Sequence, residues 1–107
     1  MAMMRSKRRW GLPRCVIILM HDVAMAAALD RTALLSGLLP GFVRGIPTGS
    51  SPSAQLLIDL DYLNGVRLAD GTMPIRVWLQ NAEILLAGRE EANLVKKVRG
   101  MIHGQEL

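Results

Sequence analysis

The stretch that decides the fold is Thr72-Met73-Pro74-Ile75-Arg76-Val77-Trp78-Leu79-Gln80-Asn81-Ala82-Glu83-Ile84-Leu85-Leu86-Ala87-Gly88, continued by residues 89–102. It reads as two helices joined at Gly88. Pro74 suits a first helical position, because its ring fixes φ and its missing N–H would be unpaired there anyway. Thr72 is placed to offer a capping hydroxyl. Gly88 can adopt the positive φ that ends a helix without strain. At 100° per residue, Ile75, Trp78, Leu79, Ala82, Leu85 and Leu86 fall within an arc of about 120°. That is a core-facing stripe, and on it Trp78 is a packing residue.

Val77 and Ile84 lie nearly opposite, at about 180–200° from Ile75. Either this helix is central and packed on both sides, or the second pair meets another protein. The first is the simpler expectation, since scattered apolar surface residues are normal.

Outward from this stretch the chain keeps a helical period. Residues 89–102 place Leu94, Val95, Val98, Met101 and Ile102 on one side, with Glu90 and Glu91 early and Lys96, Lys97 and Arg99 late, an order that complements the helix dipole. Ser51-Pro52 is a cap followed by a first-turn proline, and Leu56, Leu57, Leu60 and Leu63 share one face up to Asn64-Gly65. Residues 66–71 form a connector closed by an Asp70-Gly71 turn, and neither flank alternates as a hairpin would. Pro40 and Pro47 bracket a short helical turn that carries Phe42 and Val43. Residues 26–39 read as the first helix, capped by Asp30, with Leu34, Leu35 and Leu38 at core spacing. Thr48-Gly49-Ser50-Ser51 is a capping loop. It lacks the lysine and the preceding strand of a phosphate cradle.

At 107 residues the chain has room for one domain, and half of it is hydrophobic. The net charge of +4 is local: Arg5, Lys7, Arg8, Arg9 and Arg14 all precede residue 15, and beyond them 8 basic residues face 9 acidic ones. Residues 1–24 are therefore expected to be a basic leader, unstructured or set ahead of a later start at Met20 or Met25. The domain is expected over 25–103, with 104–107 frayed, and a chain starting at Met25 should melt almost normally. The apolar block at 15–20 is too short to span a bilayer, and His21 and Asp22 interrupt its extension. Arg8-Arg9 faintly resembles a twin-arginine signal, so an exported protein is the remaining rival to a cytoplasmic one. One cysteine, Cys15, excludes an internal disulfide framework and fits a reducing compartment.

Catalytic signatures are missing: no paired metal-binding histidines, no nucleophile elbow, no cysteine pair and no dinucleotide glycine motif. Cys15, His21 and His103 lie in the leader and the tail. Asp59 and Asp61, two apart on a helix, diverge by about 160–200° and cannot converge on one substrate. No enzyme, metal or cofactor is expected.

Gln55-Leu56-Leu57-Ile58-Asp59-Leu60-Asp61-Tyr62-Leu63-Asn64, then Leu68-Ala69-Asp70-Gly71-Thr72, Pro74, Trp78-Leu79 and Asn81-Ala82 together resemble an effector-associated domain of bacterial conflict systems. The resemblance spans about residues 29–102. It implies an all-α, death-domain-like bundle of about five helices, which the periodicity and caps support independently. It also implies a role in recruiting partners by like-with-like contacts. No effector follows residue 102 and no enzyme precedes residue 29, so a stand-alone adaptor or a detached fragment is expected.

The leading expectation is a cytoplasmic, non-enzymatic adaptor that recruits an effector carrying a related domain, itself able to homo-oligomerise. A small helical nucleic-acid binder using the basic leader is the alternative. Few aromatic residues outside the leader argue against a stacking platform, so nucleic acid is not the expected partner. The candidate protein-binding residues lie off the main stripes of two helices: Ile58, Asp59, Asp61 and Tyr62 on one, Arg76, Val77, Glu83 and Ile84 on the other. Apolar residues rimmed by charge suit a modest interface.

Overall fold

Prolines and short polar caps cut residues 11–105 into six helices in a computed structural model, which describes that span and the side chains of 11–102. They are α1 (Arg14–Ala26), α2 (Arg31–Leu34), α3 (Pro40–Arg44), α4 (Pro52–Leu63), α5 (Pro74–Leu85) and α6 (Glu91–Gln105). No strand occurs among the described residues. The chain is an all-α bundle, as its periodicity predicts.

Helix α5 is central. Ile75, Trp78, Leu79, Ala82 and Leu86 are fully buried, with α6 laid along one side and α2 on another. Leu85, at the edge of the expected stripe, is exposed instead. The Trp78 indole N–H has no hydrogen-bond partner among the described residues; the large apolar area of the ring outweighs that desolvation cost of about 1–3 kcal/mol. From α6, Val95, Val98 and Ile102 are buried and Leu94 is partly so, whereas Met101 faces out. The backbone of α6 continues through Gly104 to Gln105. Ser51 caps α4 by accepting from the Ala54 amide at 3.1 Å. Thr72 does not cap α5: the N-cap is Met73, and the Thr72 amide and hydroxyl both turn back to Asp70. Those two hydrogen bonds hold the Asp70 carboxyl below its ordinary value.

The N-terminal expectation needs correction. Residues 14–26 form α1, which packs along α4 and puts Ile17, Met20 and Ala24 into the core at 0–1 % exposure. Leu12 is buried too. Its amide donates to Asn64 Oδ1 (2.7 Å) and its carbonyl accepts from Asn64 Nδ2 (3.1 Å), so a side-chain amide at the end of α4 pairs with the backbone leading into α1. The apolar block at 15–20 lies within a core helix, with Ile17 and Met20 buried and Ile18 and Leu19 exposed, and is not part of a leader. The domain boundary expected at residue 25 therefore falls inside the packed structure, while residues 1–10 lie outside the described residues.

The helix expected over 26–39 is also absent as a single element. Ala28 has φ +53 and ends α1. The Leu29 amide reaches the Ala24 carbonyl (3.0 Å) and the Ala28 amide the Met25 carbonyl (3.1 Å), a Schellman arrangement with alanine where glycine is usual. One short helix follows, capped by Asp30 through the Ala33 amide at 2.9 Å as expected. Gly37 at φ +93 then turns the chain away. Helical spacing of Leu34, Leu35 and Leu38 does not reveal a break made by an alanine.

Two measurements follow. A chain beginning at Met25 should lose cooperative thermal unfolding, because three core side chains go with α1 and each large-to-small loss in a core costs about 2–5 kcal/mol. Ala28→Gly should raise the melting temperature by a few degrees, since relieving a left-handed alanine gains about 1–2 kcal/mol against a smaller entropic loss.

Candidate interaction surface

Asp59 is the only buried polar side chain among the described residues, at 0 % exposure. Arg31 reaches over from α2 to grip it with two bonds, Nε to Oδ2 at 2.6 Å and Nη2 to Oδ1 at 2.9 Å. Gln55 Nε2 adds a third at 3.0 Å. Gln55 also donates to the Pro47 carbonyl (3.0 Å) and accepts from the Gly49 amide (2.7 Å). A β-carbon at Gly49 would come within 2.8 Å of the Gln55 backbone nitrogen, so this approach needs glycine. The hydrogen bonds to Asp59 push the Arg31 guanidinium above its ordinary pKa against the opposing effect of burial. One carboxylate thus fixes α2, α4 and the loop between α3 and α4.

Asp59 is consequently not a residue that could greet a partner. The helical wheel carried the signal: on α4 it lies only about 40° from Leu63, inside the buried sector, while Asp61 points away. What the sequence did not disclose is its cation, 28 residues earlier on a helix of a single turn.

The other candidates are spread over the bundle rather than gathered in one patch. Ile58 and Tyr62 lean on the core, and the Tyr62 ring meets Phe42 of α3 with centroids 5.4 Å apart. Asp61 is exposed and paired with Arg14 of α1. Glu83 is held by Arg99 of α6, whose guanidinium is pushed above its ordinary pKa mainly by that hydrogen bond; its second contact is 3.3 Å. Arg76 is partly buried on the same side of α5 as Glu83. Val77 and Ile84 separate. Val77 is half-buried, and a β-carbon at Gly37 would sit 3.8 Å from its Cγ1, whereas Ile84 is 71 % exposed. The pair therefore splits, Val77 lying beside the α2–α3 segment and Ile84 being left exposed.

Two cavities adjoin Arg31. One, of about 460 Å³, lies between the end of α1 and the start of α4 and is walled by Met25, Leu29, Pro52 and Leu56. The other, of about 380 Å³, is an open groove between α2 and α3 with Leu35, Leu38, Pro40 and Val43 inside and Arg31 and Arg44 at its margins. Sequence reading missed it because it exists only where α2 stops.

Among the described residues the one arrangement resembling a catalytic relay is His21, with Nδ1 3.1 Å from Asp22 Oδ1 and Nε2 3.1 Å from Ser53 Oγ. Nε2 is closer to the Ser53 carbonyl, at 3.0 Å, which can only accept. Both ring nitrogens thus face acceptor oxygens, Nδ1 the Asp22 carboxylate and Nε2 the Ser53 carbonyl. Neither cavity is lined by His21 or Ser53. Cys15 is exposed on α1, and the His103 side chain lies outside the described residues. No cluster of metal-ligating side chains occurs among the described residues.

Residues 17–106 match the family described as effector-associated domain 5, which covers the α1–α6 bundle from the end of the first turn of α1. The chain belongs to that family. Comparisons with curated proteins and with solved structures gave no match. The family's own span begins within α1, in accord with the burial of Ile17 and Met20. An effector-associated domain is a module that accompanies an effector, and no described helix of this one is long and apolar enough to cross a membrane.

Arg31→Ala should lower stability by about 3–5 kcal/mol in urea unfolding, because it leaves the Asp59 carboxylate buried with one amide donor. Arg31→Met combined with Asp59→Leu should cost less than the single change, since it removes the uncompensated charge.

Proposed function

We propose that this effector-associated domain is a non-enzymatic adaptor that recruits an effector protein in a bacterial conflict system, through contacts with a related helical domain on that effector. The observation that carries this reading is the family match over nearly the whole bundle. The surface is compatible with it. The most exposed large apolar side chains among the described residues, Ile84 and Leu39, lie near the end of α5 and just ahead of α3. The cytoplasm, where conflict effectors act on cellular targets, is the proposed location, and no cofactor is needed for recruitment.

Of the surface expected from sequence, Asp61 and Ile84 are the accessible members and test the reading best. Titration against the effector-associated domain of an effector encoded beside this gene should show direct binding. Ile84→Lys should weaken it about tenfold or more, the scale of an apolar residue that matters at an interface centre, with unchanged helical circular dichroism. Asp61→Lys separates rim from centre and should shift the association rate and its salt dependence more than the lifetime of the complex. Absence of binding by the unmodified chain would remove the adaptor reading, and steep loss of binding to an oligonucleotide with rising salt would replace it by nucleic-acid binding.

A further inference from the structure

Helix α1 is apolar on two opposite sides. Ile17, Met20 and Ala24 face the core at 0–1 % exposure, while Cys15, Ile18, Leu19, Met25 and Ala26, all exposed, form a second stripe about 170° away around the helix. A helix apolar on both sides is ordinarily covered on both. Here α1 packs on α4 and, more lightly, on α6, and its outer stripe keeps Ile18, Leu19 and Met25 exposed at 43, 40 and 39 %. No other described helix exposes more than two large apolar side chains.

Beside this stripe the chain carries charge of one sign. Arg5, Lys7, Arg8, Arg9 and Arg14 all precede residue 15, and the first acidic residue of the sequence is Asp22. Arg14, at the start of α1, is paired with Asp61 of α4, which leaves the run at 5–9 as the cations next to the stripe. Asp22 lies on the stripe one turn beyond Ile18 and Leu19, with its Oδ1 3.1 Å from His21 Nδ1. The half nearest the basic run, Cys15, Ile18 and Leu19, therefore carries no acidic residue of its own.

Cations followed by an apolar helix face match the two layers of a lipid surface, where phosphates take the charge and apolar side chains enter the boundary between headgroups and acyl chains. A phosphodiester backbone would engage the cations and leave the stripe in water. Crossing the bilayer is a different matter: the 13 residues of α1 reach only about 20 Å, and its inner face is committed to the core. The outer face can lie on a bilayer without α1 leaving the bundle.

We propose that the N-terminal end of this domain binds the surface of an anionic bilayer, with the basic residues at 5–9 on lipid phosphates and Ile18 and Leu19 in the headgroup boundary. The inference goes beyond the adaptor reading and does not depend on it, since α1 meets lipid whether or not another face of the bundle meets an effector.

Co-sedimentation of the full chain with vesicles tests it, using phosphatidylglycerol mixed with phosphatidylcholine against phosphatidylcholine alone. The mixed vesicles should bind about tenfold or more tightly, and added salt should weaken that binding. Arg8→Gln combined with Arg9→Gln should weaken it about 25-fold, at about fivefold for each basic residue near a charged membrane. Ile18→Ser combined with Leu19→Ser should weaken it about tenfold or more, with circular dichroism and thermal unfolding reporting that the bundle is intact. Asp22→Asn gives a readout in the other direction that needs no loss of packing: with the carboxylate removed from the stripe, binding should tighten about fivefold. No binding to the mixed vesicles, equal binding to neutral ones, or binding that none of these substitutions alters would each overturn the proposal. An oligonucleotide bound more tightly than the mixed vesicles, with no effect of Ile18 and Leu19, would overturn it in favour of nucleic acid.

Discussion

A carboxylate with no exposed surface has to be matched, and much of this bundle follows from how Asp59 is matched. Its cation comes from a helix of one turn, so that turn must be delivered over α4 at the right height. The delivery uses a left-handed Ala28 to end α1, Asp30 to start α2, and Gly37 to leave it. None of these is a strong packing element by itself. The geometry is held by an interaction whose loss leaves a buried charge, which is far more costly than the pair is stabilising.

This explains which parts of the structure could be read from the sequence. Where apolar periodicity alone sets the element, as in α4, α5 and α6, the reading holds nearly to the residue, and the exceptions Leu85 and Met101 lie at stripe edges. Caps made by a local side chain, Ser51 and Asp30, are legible because donor and acceptor are three residues apart. The N-terminal third is not. Its core face, Ile17, Met20 and Ala24, is clear only once α4 is present to cover it, and the preceding basic run gives it the look of a leader. The bond between Leu12 and Asn64 joins residues 52 apart, and nothing local marks it. Of the candidate surface, the helical wheel could have withdrawn Asp59, since it sits beside Leu63, but could not have shown that Asp61 and Glu83 face α1 and α6.

Those internal pairs bear on what the surface can do. A charge already engaged by a neighbour adds little to the lifetime of a complex, because binding must first loosen or desolvate an existing pair, although an exposed one such as Asp61 still contributes to encounter. Arg14 with Asp61 and Arg99 with Glu83 brace helices against one another. Charge left over after such bracing is the better guide to recognition, and among the described residues it includes Arg44, Glu90, Lys96 and Lys97.

Arg31 belongs to both the interior and the surface. Its Nε and Nη2 are committed to Asp59, and the residue also lines the groove with Arg44. The clasp therefore does more than join α2 to α4: it holds a guanidinium rigidly at the margin of an apolar trough, where a mobile lysine or arginine would lose rotamer entropy on meeting a carboxylate. Pre-organisation of this kind links the stability of the bundle to the affinity of its surface. Changes that loosen the Asp59 pair should be felt at the groove even when they touch no partner.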